Sequence, residues 1–469
     1  MFGSFPQRGG AVSTKRDKSH GAGFRNYIDT MAHDRPARLV LLVFATIVAT
    51  ATLLLWLPFS SSGPGGATFI DALFTATSAV CVTGLTVVDT ALAWTTFGHL
   101  IIMISMMIGG LGVMTLASIL GRAVSHRIGL TQRMLAANET SSRLGEVGSL
   151  ITAVLVASLS VEAILTIVLL PSFISMGEPL LEAIWHSMFM AVSIFNNGGF
   201  VILEDGLAPM VGDWLFCIPI IFGTIVGAIG FPVIRDVYQN WRKPRFLSLH
   251  SKLTLTTYML LWVGGILAFF LFEWGNPNSL GGLEGDDKIL AGILHGTTTR
   301  SSGLSTLDMA DLSSSTLFIF DALMFIGGGS ASTAGGIKVA TFAVLALAII
   351  SEARGDKDTV AFGRRIPNSS LRLAVSAAFL GATLVGIGTL ALVYITNLPL
   401  EAVLFEVISA FATCGLSIGI TPGLPTAGKL VLILLMFTGR LGTMTLAAAL
   451  AIRETQRQIR FPEERPIIG

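Results

Sequence analysis

The sequence predicts an all-α polytopic membrane protein made of four tandem helix–pore loop–helix repeats, with eight transmembrane helices and four re-entrant pore loops around one central pore. Two observations predict this fold. Of the 469 residues, 52% are hydrophobic and only 13% are charged, whereas about a quarter of the residues in a soluble domain are charged. One short motif also occurs four times, and each copy lies between two long apolar segments. The chain is therefore a membrane protein with internal repeats.

Eight segments are apolar enough to cross a bilayer, which takes about 20 residues as a helix. They are residues 39–57, 97–120, 150–170, 214–234, 253–272, 317–350, 373–395 and 430–452. The sixth segment is too long and too rich in glycine to be a single helix, because glycine is about 1 kcal/mol worse than alanine inside a helix. We therefore expect an interruption within it.

The repeated motif has an apolar residue, a hydroxyl residue four positions later and a glycine ten positions later. Its copies are Phe74, Ser78 and Gly84; Phe189, Ser193 and Gly199; Ile293, Thr297 and Gly303; and Phe405, Ser409 and Gly415. A second match relates GGLGVMTLA at 109–117 to GRLGTMTLA at 439–447. Since each copy holds two spans, an even number, all copies enter the membrane in the same orientation. Inverted repeats need an odd number, so a central pore is favoured over a rocking carrier.

The domain boundaries follow from these repeats. A basic tail would occupy residues 1–37, the repeats 38–122, 148–238, 251–352 and 370–452, and a second tail 453–469. Lysine and arginine are concentrated in both tails and between repeats, while the opposite loops contain only Lys288 and Lys429. Because positive charge is retained on the cytoplasmic side, both termini are predicted to be cytoplasmic, in a multi-pass protein of the cell membrane.

Each repeat also contains an apolar stretch too short to cross, at 69–80, 181–195, 289–298 and 402–412. We interpret these as half-membrane pore helices, each followed by irregular backbone of the kind that is tolerated where it lines a cavity. Rings of backbone carbonyls at such places replace the hydration shell of an ion. The predicted ion-binding residues are Val82, Thr83, Gly84, Asn197, Gly198, Gly199, Ser301, Ser302, Gly303, Thr413, Cys414 and Gly415.

These residues resemble the Trk/Ktr/HKT superfamily of potassium transport proteins, and its Ktr-type membrane subunits in particular. The matching pieces are SAVCVTGLTVVDT, SIFNNGGF, TRSSGL and FATCGLSIG around the four glycines, and FIGGGSASTAGGIK at 325–338. The resemblance covers about residue 38 to residue 469. It implies K⁺ uptake, and a glycine at all four filter positions implies K⁺ selectivity. Ser302 and Leu304 depart from a common form of the third filter, which bears on the degree of selectivity.

In relatives, the glycine-rich stretch within 327–338 is an intramembrane loop that obstructs the pore beneath the filter. The predicted gate residues are Gly327, Gly328, Gly329, Ser330, Ala331, Ser332, Thr333, Ala334, Gly335, Gly336, Lys338 and Arg440. Tight helix packing is the alternative role for this run of small residues. Arg440 is expected to face the pore and anchor the loop, or else to pair with Asp321 or another acid. Arg300 is expected to brace the filter by donating to neighbouring carbonyls or pore-helix acids.

The sequence has no nucleotide-binding loop, nucleophilic triad or metal motif, so we expect no enzyme activity and no cofactor in this chain. K⁺ would be the transported ion, and Na⁺ activation is left open. The resemblance implies a homodimer docked on a cytoplasmic ring of nucleotide-binding RCK/KTN proteins. Membrane lipid would also explain the basic loops, and no nucleic acid is expected. The alternatives are a sodium-conducting or sodium-coupled cation transporter and an alternating-access symporter.

Overall fold

The computed structural model describes residues 36–63, 66–111 and 147–442. The second tail, most of the first and the last part of repeats 1 and 4 lie outside these residues, as do the later residues of the GGLGVMTLA and GRLGTMTLA matches. Within the described residues most of the chain is helical. A small hairpin pairs strand β1, Val360–Ala361, with strand β2, Arg364–Arg365.

Fifteen α-helices of at least four residues occur in the described part of the chain. In order they are α1 Pro36–Leu55, α2 Phe69–Val80, α3 Thr90–Ala93, α4 Thr96–Gly110, α5 Val147–Ser175, α6 Leu180–Asn196, α7 Trp214–Ile229, α8 Phe231–Asn240, α9 Leu249–Glu273, α10 Gly285–Thr298, α11 Ser314–Phe325, α12 Val339–Arg354, α13 Asn368–Thr396, α14 Leu400–Ala412 and α15 Thr426–Leu441.

Helices α1, α5, α9 and α13 are long and apolar enough to cross a membrane. One such helix opens each of the four predicted repeats. Between 17% and 33% of their most apolar windows is buried inside the protein, so most of their apolar surface faces outward. A surface of this kind needs an apolar surround such as lipid.

The predicted span 214–234 is wrong as a single helix. Helix α7 ends at Ile229, and α8 leaves it at an angle of 96°. Gly230 lies at the break with a φ of +100°, a backbone conformation that glycine adopts more readily than other residues. The sequence contained this glycine, but the apolar run continues past it and conceals the bend.

The interruption expected in the sixth segment is present. Helix α11 ends at Phe325 and α12 begins at Val339, with an irregular loop between them. The two ends of the loop are held together, since the Ile337 N–H donates to the Phe325 carbonyl at 3.3 Å and the Val339 N–H donates to the Gly328 carbonyl at 3.0 Å. The loop is thus a closed excursion from one interrupted membrane segment.

Aromatic pairs join the helices that flank the short apolar helices. Phe173 of α5 meets Phe216 of α7 with ring centroids 5.7 Å apart, and Phe269 of α9 meets Phe320 of α11 at 5.4 Å. Phe44 of α1 meets Phe437 of α15 at 5.5 Å, which joins the first predicted repeat to the last. Side chains from both of these repeats share one buried core, so the two ends of the repeat series pack together.

Candidate functional site: a ring of four glycine turns

Four short helices, α2, α6, α10 and α14, end at the predicted filter segments. Helix α2 has the bounds predicted for it, and the other three begin one to four residues before the predicted position. After each helix the chain turns sharply, at the residue two positions before the glycine. These residues have positive φ values, namely Val82 at 55°, Asn197 at 58°, Ser301 at 84° and Thr413 at 47°. Non-glycine residues are uncommon in this region, and for β-branched Val and Thr it is a clear outlier.

The four glycines themselves also have left-handed backbones. Their φ values are +91° at Gly84, +70° at Gly199, +68° at Gly303 and +91° at Gly415. A residue other than glycine pays a steric cost in such a conformation, because its Cβ approaches the following carbonyl oxygen. The four segments therefore share one backbone pattern, with left-handed residues two positions apart, although their side chains differ.

The motif hydroxyls hold two of these turns in place. The Gly84 N–H donates to Ser78 Oγ at 3.1 Å, and the Gly415 N–H donates to Ser409 Oγ at 3.0 Å. In the second copy Ser193 Oγ instead donates to the carbonyl of the residue after the glycine, at 2.8 Å. The spacing of six residues between hydroxyl and glycine thus has a structural reason in the first and fourth copies.

In the third copy, Thr297 has a different role. Its hydroxyl donates to the Ile293 carbonyl at 2.7 Å and accepts from Trp262 Nε1 at 2.8 Å. The hydroxyl is therefore bound within its own helix and to α9. The sequence motif did not distinguish these two kinds of contact.

The four turns meet in a closed ring. A Cβ built on each glycine would approach the carbonyl oxygen of the residue that precedes the next glycine in chain order. The Cβ on Gly84 would lie 2.8 Å from the Gly198 oxygen, that on Gly199 would lie 3.1 Å from the Ser302 oxygen, and that on Gly303 would lie 2.5 Å from the Cys414 oxygen. The Cβ on Gly415 would collide with the Thr83 oxygen. The last contact returns from the fourth segment to the first. A side chain at any of these positions would have to displace the backbone of the neighbouring turn. Glycine is therefore needed for two reasons, the close approach of the neighbouring turn and the left-handed backbone conformation of the glycine itself.

Several buried oxygens at the ring have no hydrogen-bond donor among the described residues. They are Thr83 Oγ1, Asn197 Oδ1 and Thr413 Oγ1, and all three residues are fully buried. A buried polar atom without a partner is costly, whereas oxygen atoms with free lone pairs suit a cation. The helices α2, α6, α10 and α14 also direct their carboxyl ends, which carry partial negative charge, toward these turns.

The loop between α11 and α12 lies against the ring. Asn197 Nδ2 donates to Thr333 Oγ1 at 2.7 Å, and the Gly335 N–H donates to Ser301 Oγ at 3.4 Å. A Cβ on Gly335 would collide with Thr413 Oγ1. The loop therefore touches the left-handed residue of three of the four turns.

The other side of the loop packs against the break between α7 and α8. The Gly329 N–H donates to the Ala228 carbonyl at 2.8 Å, and the Thr333 N–H donates to the Gly227 carbonyl at 3.2 Å. In the opposite direction, the Phe231 N–H of α8 donates to the Ala331 carbonyl of the loop at 3.3 Å. The loop is thus enclosed between the ring and the bent helix pair by backbone hydrogen bonds, which explains its small side chains.

Two predicted gate cations bind loop carbonyls. Buried Arg440 donates to the carbonyls of Thr333 in the loop and Gly109 at the end of α4. Lys338 Nζ donates to the Ala334 carbonyl at 2.6 Å. The position of Arg440 therefore links the loop to two helices of the first and last predicted repeats.

The prediction for Arg300 needs correction. This fully buried guanidinium donates to the Ile326 carbonyl at 2.8 Å and the Gly327 carbonyl at 2.9 Å, and it lies 4.9 Å from the centre of the Tyr258 ring. These acceptors and a longer contact to the Leu323 carbonyl, at 3.4 Å, lie at the end of α11 and the start of the loop, not in the filter segments or on pore-helix acids. Chain proximity suggested the filter, but the arginine side chain is long enough to reach past it.

The structure also shows contacts near the ring for residues to which the sequence assigned no role. Thr224 of α7 donates to Ser302 Oγ at 3.0 Å, and Tyr258 of α9 packs on Arg300. Glu162 of α5 accepts from Asn196 Nδ2 at 2.8 Å, next to the second turn. Single polar residues inside apolar helices were the available signal, but nothing in the sequence indicates which turn they contact.

Comparison with known proteins gives consistent matches. The family model described as "TrkH: Cation transport protein" matches residues 42–460. The chain is 40% identical to the Ktr system potassium uptake protein B of Bacillus subtilis, over 92% of this chain and 96% of that protein. It is 33% identical to the potassium/sodium uptake protein NtpJ of Enterococcus hirae, over 92% of this chain and 97% of that protein.

The fold is also similar to a solved structure. The crystal structure of the potassium transporter TrkH from Vibrio parahaemolyticus matches with a TM-score of 0.70, covering 94% of this chain and 87% of that one at 17% identity. At this level of identity the match concerns the fold. Together with the four long apolar helices, it establishes a helical, polytopic membrane protein.

Proposed function

This chain belongs to the TrkH family of cation transport proteins, and from that premise we propose that it carries K⁺ into the cell through the ring of four glycine turns. The observation that carries the proposal is the cyclic arrangement in which each glycine abuts the carbonyl that precedes the next one. The proposed ligands are backbone carbonyl oxygens of the residues that precede the glycines, in place of the ion's hydration shell.

The four predicted repeats would surround this ring as four helix–pore loop–helix units. Four short helices ending at four turns of the same backbone pattern support this arrangement, as does the core shared by the first and last repeats. Because the turns rely on backbone geometry, residues as different as Thr83, Gly198, Ser302 and Cys414 are compatible with one ring.

The loop at 327–338 would be the gate. Its contacts with Asn197, Ser301 and Thr413 support a position directly under the ring, where it would obstruct ion passage. Arg440 would strengthen the closed state in two ways, by anchoring the Thr333 carbonyl and by placing positive charge beside the path of a cation. Opening would then require the loop to release the ring.

Partners and orientation are part of the same proposal. One of the similar proteins is named as part of a Ktr system, which supports a membrane subunit that works with other components. We propose a homodimer docked on a cytoplasmic ring of nucleotide-binding RCK/KTN proteins, with both termini cytoplasmic. The asymmetry of lysine and arginine between the two sets of loops supports this orientation.

A second candidate is a transporter that conducts Na⁺ or couples K⁺ movement to Na⁺. The observation in its favour is the similarity to a protein named for potassium and sodium uptake. Ser302 in the third turn also differs from the form common in relatives. A glycine in each of the four turns favours K⁺ as the principal ion.

The test is voltage-driven uptake of K⁺ and of Na⁺ into vesicles that contain the purified chain, with and without deletion of residues 328–334. We expect uptake that prefers K⁺ and increases on deletion. Equal rates for Na⁺ would favour the second candidate. Uphill movement of K⁺ on an imposed Na⁺ gradient would indicate a symporter and contradict the pore.

A further inference from the structure

A cluster of basic and aromatic side chains follows the bend after α7. Tyr238, Trp241 and Phe246 are 82%, 69% and 72% exposed, which is unusual for residues so large. Between them lie the exposed basic residues Arg242, Lys243 and Arg245. We call residues 238–246 the basic–aromatic turn. Its exposed surface combines apolar rings with positive charge.

The backbone of this turn is held in one shape. The Lys243 N–H donates to the Asn240 carbonyl at 2.8 Å, the Phe246 N–H donates to the Lys243 carbonyl at 3.0 Å, and Lys252 Nζ donates to the Arg245 carbonyl at 2.9 Å. The side chains are therefore presented outward from an ordered scaffold.

The nearby negative charge is already engaged. Asp236 accepts from the Ser248 N–H at 2.9 Å and from Asn240 Nδ2 at 2.9 Å, and so is bound to the residue that caps the start of α9. Residues 237–252 contain no other Asp or Glu. The positive charge of the turn is thus available to an external anion.

The bend would put this surface at the edge of the membrane if α7 crosses the bilayer. Helix α7 has 16 residues, about 24 Å at 1.5 Å per residue, which is most of the thickness of a hydrocarbon core. Because α8 leaves it at 96°, α8 runs roughly along the membrane plane if α7 crosses it. Tyr and Trp are enriched at this depth, where the ring sits among headgroups.

We propose that the basic–aromatic turn binds the phosphate headgroups of anionic phospholipids in the leaflet on the gating-loop side. The three basic side chains would contact the phosphates, while the three aromatic rings would enter the headgroup region beside them. The turn includes the last residues of α8, and the Phe231 N–H at the start of α8 donates to the Ala331 carbonyl of the loop. A lipid held at the turn would therefore contact one end of the helix whose other end supports the loop. A protein partner could also bind the three basic side chains. Only a lipid ligand, however, requires the aromatic rings of Tyr238, Trp241 and Phe246 to lie at the depth of the headgroups.

The first test compares bound lipid. The full chain is placed in nanodiscs of phosphatidylcholine with about a third phosphatidylglycerol, and retained phosphatidylglycerol is counted by native mass spectrometry. One variant combines Arg242→Gln, Lys243→Gln and Arg245→Gln. The control removes three exposed charges elsewhere, Lys357→Gln, Arg364→Gln and Arg372→Gln. We expect only the first variant to lose anionic lipid, by roughly fivefold in affinity for each charge.

A second measurement locates the turn. The fluorescence of Trp241 is obtained as the difference between the emission of the wild type and that of Trp241→Phe. We expect phosphatidylglycerol that carries bromine near its glycerol group to quench this fluorescence. Equal retention of anionic lipid by the wild type and both variants would overturn the proposal, and so would an equal loss from both variants. Quenching of Trp241 by aqueous iodide but not by the brominated lipid would also overturn it, and would favour a protein-docking surface.

Discussion

The side chain of Asn197 donates a hydrogen bond to the hydroxyl of Thr333 at 2.7 Å. The two residues are 136 positions apart, and both are fully buried. This contact joins a ring residue to the centre of the glycine-rich loop. It is therefore a place where the attachment of the loop to the ring can be weakened without altering the backbone of either element.

The first prediction concerns this contact. Thr333→Val keeps the volume of the side chain but removes the hydroxyl, so Asn197 loses its acceptor. A hydrogen bond of this kind is worth about 1 kcal/mol, and K⁺ flux should rise by roughly fivefold if loop release limits it. Flux is measured in vesicles containing the purified protein. The control is Thr46→Val, the same change at an exposed position of α1, which should leave K⁺ flux unchanged. A K⁺ flux in Thr333→Val equal to that of the wild type would contradict the role of the loop as a gate.

The second prediction separates ring contact from backbone strain. Gly415 and Gly419 have similar φ values, +91° and +86°, but a Cβ on Gly415 would collide with the Thr83 carbonyl, while one on Gly419 would meet nothing within 4 Å. Both alanine variants should lose about 1–2 kcal/mol of stability from left-handed strain. Only Gly415→Ala should also reduce the preference for K⁺ over Na⁺, by more than about tenfold if the ring is the filter. The preference is measured by competitive uptake of K⁺ and Na⁺ into vesicles. An equal preference in Gly415→Ala and Gly419→Ala would argue against the filter assignment.

The third prediction tests the motif hydroxyl. Ser409→Ala removes the acceptor of the Gly415 N–H and leaves a buried donor without a partner, at a cost of about 1–3 kcal/mol. We expect weaker K⁺ selectivity and a lower melting temperature in detergent. Ser187→Ala is the matched control, because that buried hydroxyl only donates to the Ala183 carbonyl within α6. A larger loss of selectivity in the control than in Ser409→Ala would refute the proposed role.

The fourth prediction concerns Arg300 as a support of the loop. Arg300→Gln removes the donors to the Ile326 and Gly327 carbonyls and the contact with Tyr258. Each unsatisfied buried carbonyl costs about 1–3 kcal/mol, so thermal stability should fall and the loop should become accessible to proteolysis. Exposed Arg354→Gln should change neither. Normal stability with altered selectivity would instead restore the filter-bracing role expected from the sequence.

Much of the local structure followed from the sequence, because it depends on local causes. The bounds of α2 matched the apolar stretch 69–80, since a short apolar run between turn residues is sufficient to define a buried helix. The break between Phe325 and Val339 followed from clustered glycine, which disfavours a helix in any surroundings. The bend at Gly230 was missed, since one glycine inside a long apolar run does not by itself end a helix.

The sequence by itself determined that this chain enters a membrane, that one motif recurs four times, and that glycine occupies equivalent positions in the four copies. Only the tertiary structure decided which carbonyl each glycine faces, that Gly415 closes onto Thr83, and that Arg300 reaches the loop in place of the filter. The physical reason is that periodicity and glycine preference act within a few residues, whereas these contacts join segments more than 20 residues apart, and their geometry depends on how all the helices pack.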